Sequence, residues 1–372
     1  MNTSFVTRVF LIPSAVFLSV VFGGSYGSGR EVVEFVSRHG PMGGLTSLLT
    51  ICLTYSLCLF LCFELARLHR AYDYRSFFKN LIGRGWFLYE IIVMLGLIIS
   101  LAVCASAAGS IFNDHFRIPE MLGGLVLLLI VIGLNYLGRD YVERSMIISV
   151  GALGLVLVYL LICVFMDHSA SLATGFSHSN VDSGAIVGGM QYAFTNGGFI
   201  PLLLYCSRGL RSRREVALAS GFAAFAAVTP GLAFHLTFMV GYPEILDQRL
   251  PTYWLIEQIT SPLFLNLYVV LLFVMVAQTG VGLLQGLVER LDNWKGETTG
   301  KPLAPSGHAL VAGLAVGLSM LLASMGIVTL IIRGYTVLSL SFVLVFFVPL
   351  LTYGSYQVWF KRKDLKPVAV AG

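Results

Sequence analysis

Charge is what this sequence has least of. Of its 372 residues, 24 are Lys or Arg and 19 are Asp or Glu, which makes 12% charged against 57% hydrophobic. A soluble domain carries about 25% charged residues, and so few cannot cover a soluble globule. Disorder is excluded from the other side by the abundance of Leu, Val, Ile and Phe. Cysteine is also scarce. Cys52, Cys58, Cys62, Cys104, Cys163 and Cys206 all fall inside apolar runs with no CxxC or Cys/His spacing, so they read as small buried residues rather than a disulfide framework or metal site. Catalytic signatures are missing too: there is no Walker loop, HExxH, GxSxG or pair of intramembrane carboxylates, and the chain is not expected to be an enzyme. No nucleotide-binding domain is present, so uphill transport would have to draw on an ion gradient or on exchange. The net charge of +5 sits in short loops rather than in a basic domain, which excludes a nucleic-acid partner.

What the sequence does have is long apolar runs. At about 20 residues per crossing, the length allows about ten transmembrane helices, and only helices satisfy their own backbone in lipid at these lengths. The expectation is an all-α integral membrane protein whose main partner is the lipid bilayer. Span 1 runs from about Val6 to Arg38, span 2 from Gly44 to Leu65 and span 3 from Trp86 to Phe112. Spans 4 and 5 cover Met121 to Leu137 and Met146 to Met166; span 6 covers about Ala185 to Cys206. Spans 7 to 10 are Val216 to Val240, Leu263 to Leu287, Ala309 to Met325 and Thr336 to Phe360. The start, with Arg8 before an apolar run to Phe22, imitates a signal peptide, but nine further apolar segments follow, so it reads as an uncleaved first helix. With the N-terminus in the cytoplasm, alternation puts 19 of the 24 basic residues inside and leaves Arg30, Arg38, Arg117, Arg249 and Arg333 outside. The positive-inside rule thus favours ten spans with both termini cytoplasmic. The long outer loop from Gly241 to Thr260 carries two prolines and reads either as short helices capping a cavity or as a solvated loop.

Two spans are interrupted. Span 1 contains Gly23-Gly24-Ser25-Tyr26-Gly27-Ser28-Gly29 before Arg30-Glu31; glycines at about 1 kcal/mol each against alanine disfavour a continuous helix there. Span 6 contains Thr195-Asn196-Gly197-Gly198, with Pro201 just beyond. Either break alone could be an ordinary kink. Together they are the first members of two five-helix sets, about 6–166 and 185–360, within a single transmembrane domain covering 1–372. Since five is odd, the second set enters from the opposite face. Interrupted helices at matching places in inverted halves point to a substrate site at the midplane of a secondary transporter. Unwound backbone N–H groups can hold an anionic group and freed carbonyls a cation.

These features resemble the LeuT fold of the amino acid–polyamine–organocation superfamily. The stretch from Gly27 to Phe35 (GSGREVVEF) and Ile332-Arg333-Gly334-Tyr335, between spans 9 and 10, are similar to the YkvI family of bacterial membrane proteins. The resemblance implies a 5+5 inverted repeat with discontinuous helices 1 and 6 in a bacterial cytoplasmic membrane. Gly27-Ser28-Gly29 also looks like the Gly-Ser-Gly at which amino-acid permeases receive a carboxylate, implying an amino acid or related amine as the small-molecule substrate. Gly24, Ser25, Tyr26, Gly27, Ser28 and Gly29 would then face Thr195, Asn196, Gly197 and Gly198 across the site. In sodium-coupled members of the fold, hydroxyls on helix 8 join carbonyls of the first break. Thr279, with Gln278 standing where a second hydroxyl is expected and Gly23 opposite, is the candidate ion-coupling group. Na⁺ is the first candidate for coupling and H⁺ the second; no other cofactor, and no obligate protein partner, is called for.

Arg30, Glu31 and Glu34 stand in the outer half of span 1, where charge is expensive; beside the break, they read as an outer gate, or else as residues reaching the interface. Glu64 and Glu90 read as partners for the basic loops or as proton-coupling groups, His235 as a hydrogen-bonded structural residue or a proton carrier, and Gly313 and Gly317 as a close helix contact. A channel or membrane sensor that keeps the fold without coupled transport is the rival expectation.

Overall fold

The computed structural model describes residues 4–137, 139–177, 183–299 and 305–360. Within them every regular element is a helix, as the backbone must be where no water can pair with it. Span 1 becomes three pieces: α1 (Ile12–Val21), preceded by a π-type turn over Thr7–Leu11, then α2 (Gly24–Gly27) and α3 (Arg30–Phe35). α4 (Gly40–His69), α5 (Tyr74–Ile82), α6 (Trp86–Phe116), α7 (Glu120–Leu137), α8 (Arg139–Asp167) and α9 (Ser169–Ser177) follow. Span 6 is α10 (Ala185–Gly197) continued by a 3₁₀ stretch, Ile200–Gly209. Then come α11 (Arg213–Phe238), α12 (Pro251–Ile259), α13 (Pro262–Thr299) and α14 (Pro305–Ala323). The final run holds α15 (Ile327–Thr329), α16 (Tyr335–Phe342) and α17 (Ser355–Trp359).

Local chemistry sets the ends. Asp73 accepts from Ser76 N at 2.8 Å to start α5, and Ser212 from Glu215 N at 3.3 Å to start α11; these are N-caps of the usual kind. Pro41 and Pro251 stand in the first turns of α4 and α12, where a missing N–H costs nothing. α4 and α6 end on Arg70 and Arg117, both left-handed. The last run does not stop between spans 9 and 10 where the sequence suggested. Ile332 to Tyr335 lie inside it, at a π turn over Leu330–Gly334.

Packing sorts the helices into two groups. α11 lies along α4, α10 along α4, and α1 along α11; α7, α13 and α14 gather on α6. α2 joins the groups by lying against α13. The α4–α11 contact is close because Gly44 has no side chain: a Cβ there would enter the His235 ring. His235 is buried, its Nδ1 3.0 Å from Ser37 Oγ and its Nε2 2.9 Å from the Pro41 carbonyl. A neutral ring protonated at Nε2 satisfies both, donating to Pro41 and accepting from Ser37. The residue is structural, as its place in the sequence indicated.

Glu64 is held by Arg67 at 2.6 Å and Glu90 by Arg290 at 2.7 Å, the latter tying α6 to α13. Gly313 and Gly317 are a correction. Among the described residues nothing stands within 4 Å of where their Cβ atoms would be, because α14 packs through the face carrying Ala315 and Ser319. Residues 241–260 form short helices, a 3₁₀ turn over Glu244–Asp247 and then α12. Lys301, Lys361, Arg362, Lys363 and Lys366, and the side chains of Arg139 and Arg144, lie outside the described residues.

The His235 contact yields a prediction. Gly44→Ala should destabilise the protein by about 1–3 kcal/mol, the usual cost of overpacking, read as a lower thermal midpoint. An unchanged midpoint would show that the ring can move without losing its two hydrogen bonds.

Candidate functional site

The first break begins where α1 ends at Val21 and Phe22 leaves the helical region (φ −94°, ψ 56°). One helical turn, α2, precedes Ser28 and Gly29, and Gly29 has φ +79°. That conformation favours glycine over residues with a Cβ, and the space agrees: a Cβ would strike the Phe238 ring and the Thr252 hydroxyl. The freed backbone groups find partners from other helices. The Gly27 carbonyl accepts from Tyr268 Oη at 2.8 Å, and the Ser28 carbonyl from Thr252 N at 3.1 Å. Ser28 Oγ accepts from Arg30 N at 3.3 Å. The Ser25 side chain and the burial of Gly24 lie outside what the structure describes.

The second break is a change of pitch. α10 ends at Gly197, and Pro201 opens the 3₁₀ stretch. Tyr89 Oη caps the break by donating to the Gly198 carbonyl at 2.9 Å. Gly198 lies on the Phe342 ring, with no room for a Cβ, and Gly197 faces Phe347 and Tyr55. Buried Thr195 has its Oγ1 2.9 Å from the Gln191 carbonyl and 3.1 Å from the Tyr335 carbonyl. Asn196 Nδ2 turns back to the Tyr192 carbonyl at 3.3 Å.

Tyr335 connects the two breaks. Its carbonyl meets Thr195, and its hydroxyl donates to Glu31 Oε1 at 2.9 Å. It directly follows the π turn at Leu330–Gly334, a distortion that often marks functional positions. The sequence singled out this stretch only by resemblance; nothing in its spacing indicated a bond to Glu31.

Beside the first break lies a cavity of about 10 Å³ lined by Tyr26, Glu31 and Tyr192 with aliphatic neighbours such as Val32 and Ile51, room for about one water; Ser28, Gly29, Thr195, Asn196, Gly197 and Gly198 are not among its lining residues. The expected gate residues part company here. Glu31 is 3% exposed and faces this cavity. Arg30 instead donates to the Leu246 and Gln248 carbonyls at 2.8 and 2.9 Å and to Glu34 at 2.8 Å; Glu34 also takes Arg38. Arg30 and Glu34 therefore tie α3 to the outer loop. Arg8 donates to the Gly209 carbonyl and to Glu215, both at 2.8 Å, joining the first span to the end of the 3₁₀ stretch and the start of α11.

The candidate ion-coupling residues are neighbours. Gly23 faces Thr279 of α13, whose Cγ2 stands 3.6 Å from where a Cβ on Gly23 would be, and Gln278 beside it is buried. Among the described residues no group of three His, Cys, Asp or Glu could hold a metal.

Among the described residues, six helical runs are long and apolar enough to cross a membrane: Arg30–His69, Tyr74–Phe116, Ile148–Asp167, Arg213–Gly241, Pro262–Gly296 and Ile327–Trp359. Thr7–Val21, Glu120–Leu134 and Gly307–Ala323 are shorter apolar helices. No protein-family model matches the sequence, and no curated protein matches it. Solved structures do. The Eremococcus coleocola manganese transporter, in complex with an aromatic bis-isothiourea substituted compound, aligns over 99% of this chain and 83% of its own, with TM-score 0.57 and 13% identity. A point mutant of that transporter aligns over 99% and 84%, with TM-score 0.56 and 13% identity. At this identity the likeness is one of fold, and the neighbours are transporters, not enzymes. The chain is a multi-pass membrane protein with a transporter fold.

The Arg30 cluster can be tested directly. Arg30→Gln leaves Glu34 with only the half-exposed Arg38 and removes the donors to two loop carbonyls. Breaking a buried pair costs about 3–5 kcal/mol, toward the lower end here because Arg38 remains. Limited proteolysis within residues 241–260 should accelerate; unchanged cleavage would show that the loop is held without Arg30.

Proposed function

We propose that the protein is a secondary active transporter of a small solute, an amino acid or related amine, working by alternating access with ion coupling. The observation that carries this is a small cavity lined by Tyr26 and Glu31 of the first interrupted helix and by Tyr192 of the second. A buried carboxylate and phenols beside a helix break suit a solute site, and the fold of the manganese transporter supports the class. In this reading the chain is one ten-span domain, with a LeuT-like 5+5 inverted repeat over about 6–166 and 185–360. It belongs with YkvI-type proteins and sits in a bacterial cytoplasmic membrane with both termini inside. The substrate carboxylate meets backbone N–H groups near Ser28 and Gly29, while Thr195 and Asn196 stand on the opposite wall. Alternating access comes from the group containing α1–α4, α10 and α11 rocking against the group built on α6. Na⁺ is the first candidate coupling ion, placed between Gly23 and Thr279 with Gln278 beside them, and H⁺ the second. No further cofactor or protein partner is required.

Uptake into proteoliposomes tests the class. Saturable accumulation of an amino acid or amine, driven by a Na⁺ or H⁺ gradient, is expected; unsaturable current would instead make the protein a channel, and absence of any flux would leave the fold in a sensor. The ion site has its own test. Thr279→Val should weaken the apparent Na⁺ affinity by at least roughly tenfold, about 1.4 kcal/mol, with substrate specificity unchanged. Equal Na⁺ dependence in wild type and variant would remove Thr279 from the coupling site.

A further inference from the structure

The cavity beside the first break has a mixed wall. Glu31, Tyr26 and Tyr192 are its polar lining residues; the rest is aliphatic, including Val36, Leu48 and Val228. Glu31 is held from behind by the Tyr335 hydroxyl at 2.9 Å. Tyr192 is 5% exposed, and its hydroxyl has no hydrogen-bond partner among the described residues. A buried phenol oxygen without a partner is costly, and this one belongs to the lining of the same cavity as the carboxylate.

We infer that Glu31, with the Tyr192 hydroxyl beside it and Tyr335 positioning it, is the receptor for the primary ammonium head of the transported solute. The inference rests on the transporter reading and adds to it the end of the solute that is recognised most strongly. An ammonium group offers three N–H donors. Glu31 and the Tyr192 oxygen are acceptors for two of them, and the carboxylate supplies the opposite charge that a desolvated cation needs. The volume of about 10 Å³ matches a head the size of one water. Aromatic rings surround the point: Phe35 lies 5.5 Å from Tyr192 and 6.0 Å from Tyr335 between centroids, a setting that favours cations over anions. The aliphatic remainder of the wall calls for an apolar body, which must displace side chains to enter. A divalent metal fits this donor set poorly, because hard cations take six or more oxygens with several carboxylates among them, and one carboxylate with phenols is what the cavity offers.

The test uses full-length protein in detergent and three probes: isoamylamine, its anionic counterpart isocaproate, and Mn²⁺. Binding is read by thermal stabilisation and calorimetry at fixed pH. Isoamylamine should stabilise the wild type and isocaproate should not. Glu31→Gln should weaken amine binding by at least tenfold, and Tyr335→Phe by less. If Glu31→Gln does not give monodisperse protein, Tyr192→Phe decides, with an expected loss of severalfold. Equal amine binding in the deciding variant, stabilisation by isocaproate or Mn²⁺ but not by the amine, or no amine binding at all overturns the inference. Flux separates it from the reading beneath it. Gradient-driven uptake indifferent to Glu31 would sink the ammonium receptor and keep the transporter, whereas Glu31-dependent amine binding without any flux would do the reverse.

Discussion

A helix that leaves its ladder inside a membrane must find other partners for the backbone groups it frees, because lipid supplies none. Much of the architecture around the cavity answers that requirement. Tyr268 of α13 and Thr252 of α12 take the carbonyls of Gly27 and Ser28, and Tyr89 of α6 takes that of Gly198. Each partner comes from a helix other than the broken one, so the interruptions are fixed by the tertiary structure and cannot form in isolation. The cost of unwinding is thereby converted into contacts that place α3 and α10 on either side of one small space.

The polar ties around this space differ in kind. Several hydrogen bonds from Arg30 hold a loop made of short helices. Arg8 bridges the first span to Gly209 and Glu215. Tyr335 does something else, since one residue touches Glu31 through its hydroxyl and Thr195 through its carbonyl. A shift of either broken helix is therefore felt at the other through α16, which follows directly from a π turn.

Much of this was legible in the residues. The glycine clusters marked both breaks, because low helix propensity and a close backbone approach are properties of composition. The two-proline loop after α11 was read as a cap or a solvated loop, and its prolines now sit at helix starts and turns. Glu64, Glu90 and His235 found the kinds of partner that their positions implied. What stayed hidden depended on rotation about a helix axis and on distant contacts. Glu31 lies next to Arg30 in sequence, yet neighbouring residues on a helix point about 100° apart, so one faces the cavity and the other the loop. Gly313 and Gly317 are spaced for a helix contact, but spacing does not say which face of α14 meets a neighbour. The amphipathic α5 and the short α9 were not anticipated, since neither is long enough to register as a crossing.

Gly29 has an evolutionary consequence. Its left-handed backbone and its contact with Phe238 and Thr252 make any side chain there costly, and the ends of both breaks are held by cross-helix capping. For the transporter proposed above, variation in the solute would then fall on side chains lining the cavity, such as Tyr192 or the aliphatic wall, and a directed-evolution library that spared 27–29 would lose little of the accessible chemistry.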